Sequence, residues 1–187
     1  LNTVVGFSEL LSTEKNLSEE EIQEYSAAIK NNSEKLLALI NNILDLSRLE
    51  AGMMRFNVQE CDAVELCREA KMMVNMQTTL VNPEFHSTLE TLPIQADSRW
   101  FLKLLSSLLS VPRLYDGEVC QVEYTLTREE QHLKITVKGS PLYQVWEDEQ
   151  EQRILHDINR LYLGAFKGNY QVSEGVEKVV TITYPLT

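Results

Sequence analysis

The chain contains three histidines and three cysteines, the residue types best suited to nucleophilic or metal chemistry. The cysteines, Cys61, Cys67 and Cys120, form no Cys-x-x-Cys pair, so they offer neither a disulfide framework nor a zinc-ligand spacing. We therefore expect them to be small buried hydrophobic residues. His86 and His132 stand alone in sequence, and surface or strand positions are expected for both.

Other residues that can bind ligands are also expected to have structural roles. The pairs Met53-Met54 and Met72-Met73 are predicted to fill the core rather than to bind a metal, because a flexible thioether packs well in irregular gaps. Trp100 and Trp146 have no polar partners nearby in sequence and are predicted to be packing residues. No catalytic, cofactor-binding or metal-binding residue is predicted in this chain.

The composition restricts the partners. The 187 residues carry a formal net charge of −11, which argues against nucleic acid and anionic membranes because phosphate binding needs a basic surface. No apolar run approaches the length of a membrane span, so direct membrane contact is not expected. The chain begins at Leu1 rather than Met and lacks a signal peptide, and we interpret it as a fragment of a longer protein.

The first 55 residues or so follow a helical period. A first helix is predicted over 1–12 and a second from Glu19 to about Glu50, with Ser18 and Glu21 as a capping box and Gly52 as the stop. A lone hairpin with so wide an apolar face cannot cover itself. We predict a homodimer through residues 1–50 that forms a four-helix bundle. The alternative is that this face packs on the second half of the same chain.

The remainder mixes helical and strand periods. It predicts an α+β fold with a two-layer α/β sandwich, in which three helices cover one face of a mixed sheet. Asp62 with Glu65 is a second predicted capping box. The predicted strands are Phe56–Glu60, 120–127, 133–138, Asn169–Ser173 and Lys178–Tyr184; the predicted helices are 64–74, Asp97–Ser110 and Glu149–Phe166; Asn82 to Pro93 is irregular or short strand.

Two segments in the first half resemble the core of two-component sensor histidine kinases. Residues 1–11 (LNTVVGFSELL) are similar to the segment that follows the family's phospho-acceptor box, His-Glu-x-x-Thr-Pro-Leu-Asn. Residues 41–52 (NNILDLSRLEAG) are similar to the end of the second helix of the dimerisation and phosphotransfer domain. The resemblance implies such a domain over 1–55 and an ATP-binding domain over 56–187. It places the acceptor histidine before Leu1, so the first domain here lacks it.

The second half resembles the ATP-binding domain in layout but departs from it where chemistry should occur. Against the family's asparagine box, Asn-Leu-Leu-x-Asn-Ala-x-Lys-Phe, this chain has Ser107 at the first Asn, Val111 at the Mg²⁺-binding Asn and Leu114 at the Lys. Valine offers no oxygen ligand to a hard cation, and Ser107 is a poor substitute for a base. The adenine-reading Asp-x-Gly-x-Gly box is replaced by 139–143, with Gly139, Pro141 and Tyr143 in place of the acidic group and the permissive glycines.

A third departure is the missing ATP lid. Only residues 144–150 separate the altered box from the last helix, and this segment is acidic and has no glycine. Carboxylates at this place would repel a triphosphate. His156-Asp157 is like the start of a phospho-acceptor box, but Arg160 and Leu161 stand where Thr and Pro are needed. We expect His156 to be a partly exposed helix residue rather than an acceptor.

These features together imply a dimeric signalling fragment, a pseudokinase of the sensor histidine kinase family. The dimerisation helices would relay a conformational change to the receiver domain of a response regulator. They would also take part in a phosphorelay if the histidine is present upstream. ATP and Mg²⁺ are the family's cofactors, but we predict that neither binds here. The resemblance also implies a cytoplasmic position within a membrane-linked bacterial sensor. Two alternatives stay open, a divergent but active ATP-dependent protein-histidine kinase and a structural coiled-coil adaptor.

Overall fold

The computed structural model describes residues 2–77, 79, 81–109, 119–139, 150–173 and 179–186. The chain divides into two compact units, Leu1–Ser47 and Arg48–Thr187. In the described part of the chain, no helix has the length and apolar character needed to cross a bilayer.

The first unit is a helical hairpin. Helix α1 spans Asn2–Thr13, and helix α2 spans Glu19–Glu50 and continues into the second unit. The predicted capping box starts α2: the Ser18 amide donates to Glu21 Oε2 at 2.8 Å, and the Glu21 amide donates to Ser18 Oγ at 3.2 Å. The Ser18 amide and the Ser18 hydroxyl, which donates to the same Oε2 at 2.9 Å, favour the carboxylate and lower the pKa of Glu21.

Helix α2 ends at Glu50, and the predicted stop residue Gly52 follows it. Gly52 has a φ of 64°, a left-handed conformation that glycine adopts without steric cost. Its amide donates to Leu49 O at 3.0 Å, and the Met53 amide donates to Arg48 O at 2.9 Å. This pair of bonds is a Schellman cap, which satisfies the last carbonyls of the helix.

The second unit is a mixed five-stranded sheet covered by three helices, and it confirms the predicted α+β sandwich. The sheet order is β2-β4-β5-β7-β6, with β2 parallel to β4 and the other pairs antiparallel. The helices are α3 (Ala63–Gln77), α4 (Ser98–Leu109) and α5 (Gln150–Ala165). The strands of this sheet are β2 (Val81–His86), β4 (Cys120–Glu129), β5 (His132–Gly139), β6 (Asn169–Val172) and β7 (Val179–Pro185).

Alternating residues of the central strands form the core together with the apolar faces of the helices. Tyr124 is fully buried, and its hydroxyl donates to Cys67 O at 2.6 Å, which links β4 to α3. Burial raises the pKa of this hydroxyl. The core residues of β4, β5, β7 and α4 are Cys120, Val122, Tyr124, Leu126, Leu133, Ile135, Val137, Val180, Ile182, Tyr184, Phe101, Leu104, Leu105, Leu108 and Leu109.

A separate two-stranded sheet corrects the prediction of a strand at Phe56–Glu60. Strand β1 spans Gln59–Asp62 and pairs with β3, Pro93–Ala96. The ladder begins only at Gln59, because the Phe56 ring and the Asn57 amide before it are held by α4 and α5 instead.

Two further predictions from the residues differ from the structure. Met53 and Met72 are exposed by 69% and 64%, so neither fills the core; the buried stripe of α3 follows Val64, Cys67, Ala70 and Val74 instead. Cys67 and Cys120 are buried as expected, whereas Cys61 is half-buried.

The cap of α3 provides a stability test. Asp62 Oδ1 accepts from the Val64 amide and from the Leu92 amide, each at 2.9 Å, so one carboxylate both starts the helix and holds the segment before β3. We expect Asp62→Ala to lower the free energy of unfolding by about 1–2 kcal/mol. Urea denaturation followed by circular dichroism would measure this. Glu65→Ala, at an exposed position of the same helical turn, is the matched control and should change stability by less than about 0.5 kcal/mol. Equal effects would show that Glu65 completes the cap.

Candidate functional site

The candidate site is the contact between helices α4 and α5, because Ser107, at the first position of the asparagine box, lies there. At its start, Asp97 is 6% exposed and caps α4. Asp97 Oδ1 accepts from the amides of Arg99 at 3.1 Å and Trp100 at 3.2 Å. Its Oδ2 accepts from the Asn57 amide at 2.8 Å. Both carboxylate oxygens are thus bound to backbone amides, and this residue positions α4.

Near the other end of α4, the Ser107 hydroxyl makes two hydrogen bonds. Its hydroxyl donates to Leu104 O at 2.7 Å, and its oxygen accepts from Asn159 Nδ2 of α5 at 2.9 Å. Asn159 is 3% exposed. A general base needs a pKa near the working pH, and a neutral serine hydroxyl does not have one. The arrangement joins the two helices directly.

Sequence reasoning missed Asn159. Polar residues on helices usually face solvent, so Asn159 is expected to be exposed. Its one available signal was its place between Ile158 and the Leu161–Leu163 segment, on the buried side of the helix. A buried amide must be hydrogen-bonded, and Ser107 supplies the acceptor.

His156 and Tyr170 form a second polar contact between α5 and β6. Tyr170 Oη lies in short hydrogen-bonding contact with His156 Nδ1. Burial raises the pKa of Tyr170, while Arg160 and Asn159 act in the opposite direction. His156 is half-buried as predicted, and its Nε2 is shielded from solvent. Neither ring nitrogen is presented to a phosphoryl donor, which supports a structural role.

An aromatic cluster surrounds the α4–α5 junction. Phe56 contacts Trp100, Tyr162 and Phe166 with ring centroids 5.7, 5.6 and 5.1 Å apart. Trp100 stacks on Tyr162 at 5.8 Å, and Lys103 Nζ lies 5.1 Å from the Trp100 ring. Trp100 is thus a packing residue, as predicted. Such aromatic pairs contribute roughly 0.5–1.5 kcal/mol each beyond the area they bury.

Several predicted positions lie outside the described residues. These are the altered metal, phosphate and adenine positions Val111, Leu114, Pro141 and Tyr143, together with Trp146 and most of the segment 144–150. Gly139 ends β5, where it pairs with Val122.

The two isolated histidines are surface residues, as predicted. His86 is on β2, and its Nε2 lies 4.0 Å from carboxylate oxygens of both Glu84 and Glu123. His132 is the exposed first residue of β5. The described ranges contain no group of three or more His, Cys, Asp and Glu side chains that could hold a metal ion.

The hairpin presents a second candidate surface. No described side chain of α1 or α2 is buried. Phe7 stacks on Tyr25 with ring centroids 5.1 Å apart, so the two helices contact each other, yet a stripe of large apolar residues stays exposed. The members of this exposed stripe are Val5, Ile22, Leu36, Leu37, Ile40, Ile43 and Leu44, at 37–60% exposure.

A double-mutant cycle tests the Ser107–Asn159 bond. We expect Asn159→Ala to lower the free energy of unfolding by about 1–3 kcal/mol, because it leaves a cavity and removes the donor to Ser107. Ser107→Ala should cost less, and the pair should show a coupling energy of about 1 kcal/mol in urea denaturation. Arg160→Ala, at the exposed neighbouring position, is the control. Strict additivity of the two substitutions would show that the bond contributes no stability.

Known proteins match this chain in sequence. Residues 1–52 match the His Kinase A (phospho-acceptor) domain. Over 116 residues the chain is 29% identical to the cell-division control histidine kinase PdhS of Brucella anthropi, a match that covers 59% of this chain and 11% of that protein. The chain spans 11–13% of the length of the first curated relatives it matches.

Solved structures share the fold. The histidine kinase AdeS of Acinetobacter baumannii has a TM-score of 0.71 at 16% identity, with 98% of this chain and 93% of that chain covered. The histidine kinase ThkA, in complex with the response regulator protein TrrA, has a TM-score of 0.72 at 16% identity, with 100% of this chain and 57% of that chain covered. The phospho-acceptor match over residues 1–52 and the shared fold of the α+β unit that follows it support a two-component sensor histidine kinase core.

Proposed function

We propose that this chain is a dimeric signalling module that relays conformation to a response regulator and does not use ATP itself. The observation that carries the proposal is the exposed apolar stripe on a hairpin that matches the phospho-acceptor domain. The second unit, by contrast, buries a complete core of its own.

The exposed stripe supports dimerisation. A hairpin whose helices bury no side chain gains little stability from its own packing. Monomeric proteins rarely expose contiguous apolar patches of more than a few hundred Å². A second copy of the same hairpin covers the stripe in a four-helix bundle and removes this cost.

A response regulator is the partner that fits such a module. The kinase ThkA, which shares this fold, was solved together with the response regulator protein TrrA. We propose that the polar faces of the bundle receive a receiver domain. Membrane linkage of the parent protein is part of the same proposal and rests on the family resemblance alone.

Loss of ATP binding is supported by the residues that stand at the positions of the family's asparagine box and adenine-reading box. Val111 and Leu114 stand where the family has a metal ligand and a phosphate-binding cation, and 139–143 lacks the adenine-reading acid. Ser107, at the base position, has its hydroxyl bound to Leu104 and Asn159. Each missing polar contact weakens binding by roughly 1–3 kcal/mol, which together moves a micromolar site to millimolar or beyond.

A divergent but active kinase is the second candidate. It is favoured by the complete second unit, whose sheet, three helices and Asp97 cap retain the fold of the ATP-binding half. A structural coiled-coil adaptor is disfavoured by the same observation, since an adaptor needs only the hairpin.

Dimerisation is tested by sedimentation equilibrium of this chain at micromolar concentration, where we expect the mass of two chains. Leu36→Asp puts an unpaired charge into the exposed stripe and should weaken association by roughly 3 kcal/mol, about a hundredfold in Kd. Asn31→Asp adds the same charge on the opposite side of α2 and should leave the Kd within about threefold. A wild-type monomer at this concentration would contradict the bundle, and equal effects of both variants would mean that the wrong face was assigned.

Nucleotide binding is tested by isothermal titration with Mg-ATP and Mg-ADP at hundreds of micromolar. We expect no heat and no shift in the thermal unfolding midpoint, because the site lacks its metal ligand and its cation. A histidine kinase core with intact boxes, titrated in the same buffer, is the positive control. A micromolar Kd for this chain would support the divergent-kinase alternative.

A further inference from the structure

Helix α3 carries three of the chain's five methionines within five consecutive residues, Met72, Met73 and Met76. The sequence predicts core positions for the first two, but Met72 is 64% exposed, Met76 is 85% exposed, and Met73 is half-buried. The helical period places both exposed residues opposite the buried stripe of α3. Packing into the core therefore does not explain why these side chains are methionines.

The exposed apolar surface of α3 consists of sulfur-containing side chains. Met72 and Met76 are the two large apolar residues that the described part of this helix exposes. Among the described side chains of α4 and α5, no large apolar residue is exposed. An exposed thioether has a property that an exposed leucine lacks, because its sulfur is a soft, polarisable ligand. The placement thus favours a role for the sulfur atoms.

The three side chains are neighbours on the helix surface. Met72 and Met76 are four positions apart and Met73 and Met76 are three apart, so their β-carbons lie about 5–6 Å from each other. Each methionine has three rotatable bonds, which is enough to bring the sulfur atoms to one point over the last turns of α3. Thioether ligands select Cu(I), because both the ligand and the ion are soft.

The charges around the three methionines suit a cation. Glu65 and Glu69 are exposed and stand eleven and seven positions before Met76, on the same side of the helix. Arg68 and Lys71 are turned away from this side by the helical period. The two carboxylates attract a cation, yet the described residues contain no group of three or more His, Cys, Asp and Glu side chains that could hold a metal ion. Sulfur must therefore supply the ligands here.

We propose that Met72, Met73 and Met76 form a surface site for Cu(I), with the three sulfur atoms as ligands. The thioethers are neutral and carry no proton, so the ion binds without proton release and without a change of oxidation state. The site requires neither dimerisation nor nucleotide. Its failure would leave the proposed function untouched, and the failure of that function would leave the site untouched.

Methyl NMR of the full chain, labelled with ¹³C at the methionine methyl groups, tests the site directly. Cu(I), kept reduced with ascorbate under argon, is diamagnetic and shifts the signals of its ligands without broadening them. We expect the signals of Met72, Met73 and Met76 to shift and to saturate at one equivalent with a micromolar or tighter Kd. The signals of Met53 and Met54 should stay in place.

Two variants remove one sulfur atom each and keep the apolar volume. Met72→Leu and Met76→Leu should each weaken the Kd for Cu(I) by at least about tenfold, since even the loss of an outer-shell partner costs that much. Met53→Leu, at a residue that is 69% exposed and outside the cluster, is the matched control and should keep the Kd within about twofold. A protein partner held by hydrophobic contact would not distinguish leucine from methionine in this way.

The cysteines are the competing soft ligands, and pH separates them from the methionines. Burial raises the pKa of the Cys61 and Cys67 thiols, so both stay protonated at neutral pH. A thiolate site loses about tenfold in affinity for each unit by which the pH falls, because the thiol must release its proton. The thioether site should keep its Kd within about threefold between about pH 7.5 and 5.5. Cys61→Ser, which removes the half-buried thiol, should also leave the Kd unchanged.

Three results would overturn the site. The first is the absence of a saturable shift in the methyl signals of Met72, Met73 and Met76, which would leave the exposed methionines as an apolar surface only. The second is an unchanged Kd in both leucine variants of α3. The third is loss of Cu(I) binding in Cys61→Ser or on acidification, which would assign the ion to a thiolate.

Discussion

The buried carboxylate of Asp97 is the interaction on which the second unit depends most. A charged group that is 6% exposed is costly unless its oxygens are fully bound. Asp97 meets this condition with three backbone amides, two from the first turn of α4 and one from Asn57. The positive end of the helix dipole stabilises the same charge. The carboxylate thus fixes both the start of α4 and the path of the chain that enters the unit.

Helix α4 joins the parts of the unit because each of its sides meets a different neighbour. Its apolar face, which includes Phe101 and Leu108, packs into the core. Trp100 near its start stacks on Tyr162 of α5, and Ser107 near its end accepts a hydrogen bond from Asn159 of the same helix. The two contacts are about two helical turns apart, so they set the crossing of the helices as well as their distance. The candidate site is thus a packed contact between α4 and α5.

Local patterns predicted the features whose causes are local. The Ser18–Glu21 cap, the Gly52 stop and the alternation along β4 and β5 all depend on residues close in sequence, and the structure has them at the expected places. The features that sequence could not provide depend on distant partners. Asn57 is bound forty positions away by Asp97, and the buried Asn159 needs Ser107 of another helix. Met53 and Met72 were misplaced because apolar residues are often exposed, so hydrophobicity alone does not predict burial.

The two units bury their apolar residues to different extents. This difference explains why one unit can lose its proposed function while the other keeps its own. The second unit buries its apolar residues between a sheet and three helices, so its core is covered by its own elements. The hairpin cannot do so, because two helices leave one side of each open. Losing the polar residues of a nucleotide site therefore need not unfold the second unit, since those residues contribute binding energy rather than core packing. Losing the apolar stripe of the hairpin would instead remove the surface on which the proposed dimer depends, which is why we propose that the signalling role of this chain lies in residues 1–50.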